Sequence, residues 1–157
     1  MIQFVVPSKS GGSHLKANVT YLNLYDFYAS SDEFRSLWTI TSQFTKKSIT
    51  YLPSTVYTNK ERYVYMVTVT TWDIDAQDLA TGFIQLGTTN FPLGFYDVVI
   101  YENTSNTNTD TSGLKVVYKG LMNLISQNAT TGADTPPVDY KEYTTNDSDT
   151  ESVYITI

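Results

Sequence analysis

The chain has 157 residues, no Cys, one His, 10 basic and 16 acidic residues, and a net charge of −6. A chain of this length buries roughly 70% of its unfolded surface in one core without disulfide or metal staples. The scattered basic residues give no field for phosphate and no apolar run nears the ~18 residues of a membrane span, so neither nucleic acid nor membrane is expected as a partner.

Thirteen Tyr against seven Phe and two Trp, with 17% charged residues, put the polar side of the fold on neutral Thr, Ser and Asn. Alternation of period two runs through the chain and predicts strands. The first covers Ile2 to Val6. Next, PSKSGGSHLK at Pro7 to Lys16 reads as a flexible polar linker, so that residues 1–16 are expected to form an arm and 17–157 a single antiparallel, all-β sandwich of immunoglobulin-like or jelly-roll-like type. A strand on such a linker either pairs within its own sheet or adds to the edge of a neighbouring subunit. The N-terminus lacks a basic n-region, a long apolar h-region and a small-residue cleavage site, so Sec-dependent export is not expected.

Val19, Tyr21, Asn23 and Tyr25 alternate with Thr20, Leu22 and Leu24; Trp38 and Ile40 with Thr39 and Thr41; and Tyr63, Tyr65, Val67 and Val69 with Val64, Met66, Thr68 and Thr70. Phe95 to Glu102 has the same form. Shorter strands are expected at Ser48 to Leu52, Phe83 to Leu86, Leu114 to Lys119 and Ser152 to Ile157. Turn formers fill Ala29 to Asp32, Pro53 to Asn59, Gly87 to Gly94, Asn103 to Gly113 and Asn128 to Pro137, at the spacing of an all-β domain. Asp32 to Leu37 and Asp75 to Ala80 are each expected to make a turn or two of helix, and Leu121 to Gln127 reads equally as helix or as strand continuation. SVYITI alternates to the last residue and is expected to dock in a sheet.

Chemistry-bearing constellations are sparse. His14 lies in the Gly/Ser linker, and a Ser-His-Asp or Cys-His arrangement would need its base fixed beside a nucleophile. SKSGGSH has its Lys before the glycines and does not match a phosphate-binding loop. The acidic clusters Asp73, Asp75 and Asp78, the loop Asn106, Asn108, Asp110 and Ser112, and the group Asn146, Asp147 and Asp149 lack the Gly turn and distant Glu of a calcium loop and read as solvated turns. No pair of carboxylates stands out for acid and base work. Sequons start at Asn18, Asn103, Asn128 and Asn146, in a chain rich enough in Asn, Ser and Thr to produce them by chance. No catalytic residue, metal or cofactor is therefore expected, and the protein is not read as an enzyme.

The tyrosines remain. Tyr96 and Tyr101 are expected in or beside the core with the hydroxyl reaching outward, whereas Tyr57, Tyr140 and Tyr143 lie near turns or in the polar C-terminal third. Tyr with Ser, Asn and Thr also builds adaptable contact surfaces. The interface residues expected from sequence are Tyr57, Tyr140 and Tyr143, with Ile2, Phe4 and Val6 of the first strand as an anchor.

Asn90 to Leu121, NFPLGFYDVVIYENTSNTNTDTSGLKVVYKGL, resembles a pattern of small virion-associated proteins of tailed bacteriophages, particularly phages of marine bacteria and of Bacteroidetes. Matching features are Gly94 before GFYDVVIYE, the Asn/Thr/Asp-rich loop, the return into VYKGLM, and the late YKEYTTN segment before a Tyr-containing terminal strand. ERYVYMVTV at Glu61 to Val69 looks like the preceding long strand. The resemblance spans about the C-terminal two-thirds and implies a β-sandwich that decorates or joins the shell: a non-enzymatic auxiliary or decoration protein, made in the host bacterial cytoplasm and located in the virion. Its expected partners are the major capsid protein or other virion proteins, with a homo-oligomer also open. A head-fibre, connector or tail component is the near variant. A carbohydrate-binding sandwich with Trp72, Phe91 or Tyr143 as stacking platforms is the alternative from another class, and a small β-sandwich hydrolase the third.

Overall fold

The computed structural model describes residues 1–9, 13–22, 35–53, 55–59, 63–127, 142–143 and 153–154, without the side chains of 54–65, 142–143 and 153–154. Met1–Gln127 forms one compact unit and Asn128–Ile157 a second. In the second, β10 (Glu142–Tyr143) pairs antiparallel with β11 (Val153–Tyr154).

The first unit is all-β and built from two sheets. Its five-stranded sheet has the order β1-β9-β8-β3-β4, with β1 at Ile2–Val6, β3 at Arg35–Ser42, β4 at Ser48–Tyr51, β8 at Gly94–Asn103 and β9 at Val116–Ser126. In the other, β6 (Tyr63–Thr71) is flanked on one side by β2 (Leu15–Leu22); β5 (Thr55–Asn59) and then β7 (Phe83–Gln85) also pair with it. Inward residues of both sheets share one core, from Phe4, Trp38, Tyr51, Tyr96 and Met122 to Met66 and Ile84. Burial of such side chains, about 1.5–3 kcal/mol each, is the main stabilising term. Trp38 sits at its centre, stacked on Phe4 at 6.3 Å and tilted against Tyr51 at 6.1 Å.

Several sequence expectations change. The sheet is not purely antiparallel, because β1 runs parallel to β9, Ile2 opposite Met122 through Val6 opposite Ser126, and β7 runs parallel to β6. The first strand is therefore part of the unit's own sheet and not a separate arm. Thr55–Asn59, expected as turn, is a strand because Tyr63–Val67 of β6 offers its β-branched run a ladder. Arg35–Leu37 opens β3 where helix was expected, and the Asp75 to Ala80 helix shrinks to a single 3₁₀ turn at Ile74–Ala76. The ambiguous stretch after Leu121 continues β9 as strand to Ser126.

The four-stranded sheet turns its more polar side inward. Asn18 and Thr20 of β2, and Met66, Thr68 and Thr70 of β6, are buried, whereas Val19 and Tyr21 face out. Burying hydroxyls is tolerated only when they are bonded. Thr68 Oγ1 bonds the Tyr51 hydroxyl at 3.1 Å, and the Thr70 hydroxyl donates to the Val5 carbonyl at 2.6 Å. Trp38 Nε1 donates to Ser36 Oγ at 3.0 Å and lies 3.2 Å from Met66 Sδ. The Thr excess of the composition thus ties one sheet to the other.

Candidate functional site

Two loops meet beside one another at one end of the five-stranded sheet. The first is the tight turn Gln43–Lys47 between β3 and β4. It closes through Ser42 N–H to Lys47 O at 2.9 Å and Lys46 N–H to Ser42 O at 2.9 Å, and the Ser42 hydroxyl accepts the Thr45 N–H at 3.2 Å. Among the described residues Lys46 is the non-glycine with positive φ, at 59°. A left-handed L-residue costs roughly 1–2 kcal/mol that Gly would avoid.

The second loop runs from Leu86 to Leu93 and feeds β8 at Gly94, whose φ of 128° suits glycine. Gly87 and Thr88 N–H groups both donate to Phe91 O, and the Phe91 N–H returns to Thr88 Oγ1. Tyr96 is buried, hydroxyl included, and that hydroxyl donates to the Pro92 carbonyl at 2.6 Å, pinning the loop to the strand. Burial pushes this hydroxyl up to about 12, with Ser42 acting in the opposite sense.

The loops are joined directly. Thr45 Oγ1 donates to Asn90 O at 2.7 Å, Gln43 N–H to Phe95 O at 3.0 Å, and Gln43 Nε2 to Asp97 Oδ1 at 2.9 Å. Between them lies a groove of about 500 Å³ whose apolar walls are Phe44 on one side and Pro92, Leu93 and Phe95 on the other. These side chains are presented to solvent: Phe44 is 85% exposed, Phe95 51% and Leu93 50%. Leu121 of β9 is also exposed, one ladder step diagonal to Phe95. Scattered exposed apolar residues are ordinary, whereas these are clustered, which makes them the candidate contact surface among the described residues. The chemistry available is shape and apolar area, held in place before any partner arrives.

The anchor residues expected from sequence do not line this groove. Ile2, Phe4 and Val6 are buried in the unit's own core, Phe4 completely, so in this arrangement they present no surface to a second molecule. Tyr57 lies on β5 and Tyr143 on β10, with side chains outside the described residues, as is Tyr140 altogether. Of the aromatic platforms considered for sugars, Phe91 is half-buried against the core, and Trp72 is half-buried with His14 edge-on to it at 6.3 Å. Trp72 Nε1 is buried without a hydrogen-bond partner.

Two of the oxygen-rich clusters serve the backbone, and the third, Asn146, Asp147 and Asp149, lies outside the described residues. Asp73 Oδ1 accepts from Asp75 N–H and Asp78 Oδ1 from Ala80 N–H. In the β8–β9 loop Asn103, Ser105, Asn108 and Asp110 form successive side-chain turns, and the Ser112 N–H holds the Asp110 carboxyl below its ordinary range. No group of three or more His, Cys, Asp or Glu is placed to hold a metal among the described residues. The sequons at Asn18 and Asn103 are buried and their amides bonded, which leaves no room for a glycan. The groove residues carried no signal in the sequence beyond Phe44 standing alone in a polar turn, QFTKK.

No family model, no curated protein and no solved structure matches the chain.

Proposed function

We propose that this chain is a non-enzymatic structural protein of a tailed-bacteriophage virion, an auxiliary or decoration protein that attaches to the shell by protein-protein contacts through the Phe44, Leu93 and Phe95 end of its sandwich. The observation that carries the attachment is that groove: three large apolar side chains held out on two mutually bonded loops and the start of the strand that follows the second. Covering each would contribute on the order of 1.5–3 kcal/mol before the costs of association. The virion assignment rests on the resemblance of Asn90 to Leu121, a stretch that supplies Leu93 and Phe95. On a repetitive shell a small interface suffices, because many copies and neighbour contacts add avidity.

Purified particles provide the test. The protein is expected to co-sediment with them in a fixed ratio to the major shell protein, and Phe44→Asp combined with Leu93→Asp is expected to leave the chain folded by circular dichroism yet absent from particles. A chain missing from purified virions overturns the proposal.

A further inference from the structure

We infer that the groove takes an apolar side chain carried on an acidic segment of a protein partner; this deepens the attachment reading above and rests on it. The inference starts from sign. The chain carries −6 overall, yet its single pair of adjacent basic residues, Lys46–Lys47, sits on the turn that supplies the Phe44 wall. Both side chains are exposed, and no ion pair to either is present among the described residues. Asp97, two places beyond Phe95 on the outer side of β8, has one carboxylate oxygen bonded by Gln43 Nε2. Two exposed lysines on the turn that carries Phe44 favour a partner that brings carboxylates, and the net charge of −6 disfavours such a partner over the molecule as a whole.

Backbone geometry adds a second, independent point. Lys46 occupies the left-handed position that Gly or Asn would fill at lower cost. The turn is closed by bonds from Ser42 and Thr45 to the backbone of residues 42, 45, 46 and 47, so the point from which the Lys46 side chain leaves the backbone is fixed relative to that of Phe44. Strain retained beside a binding surface is a common mark of preorganisation.

Shape decides the class of partner. A bilayer is met by a convex apolar tip, whereas here Phe44 and the Leu93–Phe95 side border an open groove of about 500 Å³, which offers apolar contact on two sides to a protruding side chain. A second copy of this chain is disfavoured by the like net charge of the two molecules.

The test uses the full chain and blocked short peptides of sequence Asp-Asp-Phe-Leu-Asp-Asp, Lys-Lys-Phe-Leu-Lys-Lys and Asp-Asp-Gly-Ser-Asp-Asp, followed by amide chemical shifts. The first is expected to move Phe44, Leu93, Gly94 and Phe95 amides and the other two to leave them in place. Lys46→Glu with Lys47→Glu, or salt raised to about 0.5 M, should weaken the first peptide roughly threefold to tenfold. Lys46→Gly, which relieves the left-handed position and keeps the fold, separates charge from strain and should weaken it by a smaller factor.

Equal binding of the acidic and basic peptides overturns the charge selection while leaving the attachment surface intact. Shifts confined to other residues overturn the site itself. Sedimentation of the protein with phosphatidylcholine/phosphatidylglycerol vesicles, lost on Phe44→Asp, would replace the protein partner by a lipid surface. Failure of the virion reading is scored separately, by absence from particles.

Discussion

The side chain of Asn18 pairs with the backbone of Val5 as a neighbouring strand would. Its Oδ1 accepts the Val5 N–H at 2.7 Å and its Nδ2 donates to the Val5 carbonyl at 3.1 Å, with Thr70 Oγ1 completing the set. β1 is the edge of the five-stranded sheet and belongs to β9 by its ladder. Through Asn18, which stands on β2, it is also bonded to the other sheet. One carboxamide thus blunts an open edge and ties the two layers together.

Replacing that amide tests the tie. Asn18→Ala leaves the Val5 N–H without its partner and removes one of the bonds to the Val5 carbonyl and to the Thr70 hydroxyl, which still bond each other, and should lower unfolding free energy by about 1–3 kcal/mol in urea titrations. Asn18→Asp keeps the acceptor but sets an oxygen against the Val5 carbonyl, and should cost at least as much. Stability equal to the parent for both would show the amide to be dispensable.

Phe4 distinguishes a core strand from an anchor. Its ring is fully buried and stacked on Trp38, so Phe4→Asp should destabilise by more than about 4 kcal/mol, through a cavity plus an unpaired buried carboxylate. The readout is loss of the cooperative thermal transition. A folded Phe4→Asp protein that fails to bind particles would instead make β1 the attachment element.

Gly120 is required by its neighbour. A Cβ there would collide with the ring and hydroxyl of Tyr118 on the same side of β9, and Tyr118 in turn packs on the core. Gly120→Val should cost roughly 1–3 kcal/mol as the ring is displaced, and Gly120→Val with Tyr118→Ala should cost less than the sum of the two single changes. Strict additivity in a double-mutant cycle would contradict the contact.

Alkali should unfold the protein through its buried phenols. Desolvation raises the Tyr96 hydroxyl to about 12 and the Tyr51 hydroxyl further in the same direction, against smaller opposing effects of Ser42 and Thr68. Unfolded Tyr ionises near ~10. With the folded values higher, the unfolded chain loses protons first, so the stabilisation is complete below pH ~10 and is lost as pH rises through about 12. Urea midpoints should fall across that window, and tyrosinate absorbance should lag until unfolding. A midpoint independent of pH there would refute the assignment.

Phe44 should matter for contact and not for folding. At 85% exposure its replacement by Ser is expected to change stability by no more than about 0.5 kcal/mol, while raising solubility at high concentration. A large drop in thermal midpoint would mean that the ring supports the turn.

Strand positions were legible because β-branched and aromatic residues alternate with polar ones over stretches such as Tyr63–Thr71. The side of the sheet that faces inward was not. Alternation of Val19 and Tyr21 with Asn18 and Thr20 is symmetric under a change of face, and hydropathy favours the wrong one. What reverses it is the set of acceptors waiting opposite, Val5 and Tyr51, which lie far away in sequence. Parallel pairing escaped for the same reason, since nothing local distinguishes an edge strand that joins the last long strand from one that forms a hairpin. The groove depends on two turns brought together by Thr45 and Asn90, 45 residues apart, so Phe44 alone gave no sign of Leu93 or Phe95.

The parallel ladder of Ile2–Val6 with Met122–Ser126 has a consequence in time. Ile2–Val6, the first strand of the unit to be synthesised, finds its partner only after the last strand of the unit has been made, and until then Phe4 and the Trp38 ring have no complete core to enter. Closure must therefore follow synthesis, and contacts so distant along the chain slow it. A contact made through the loop end before that closure would meet a half-finished scaffold, so closure of the parallel ladder sets the earliest moment at which that surface exists in its final form.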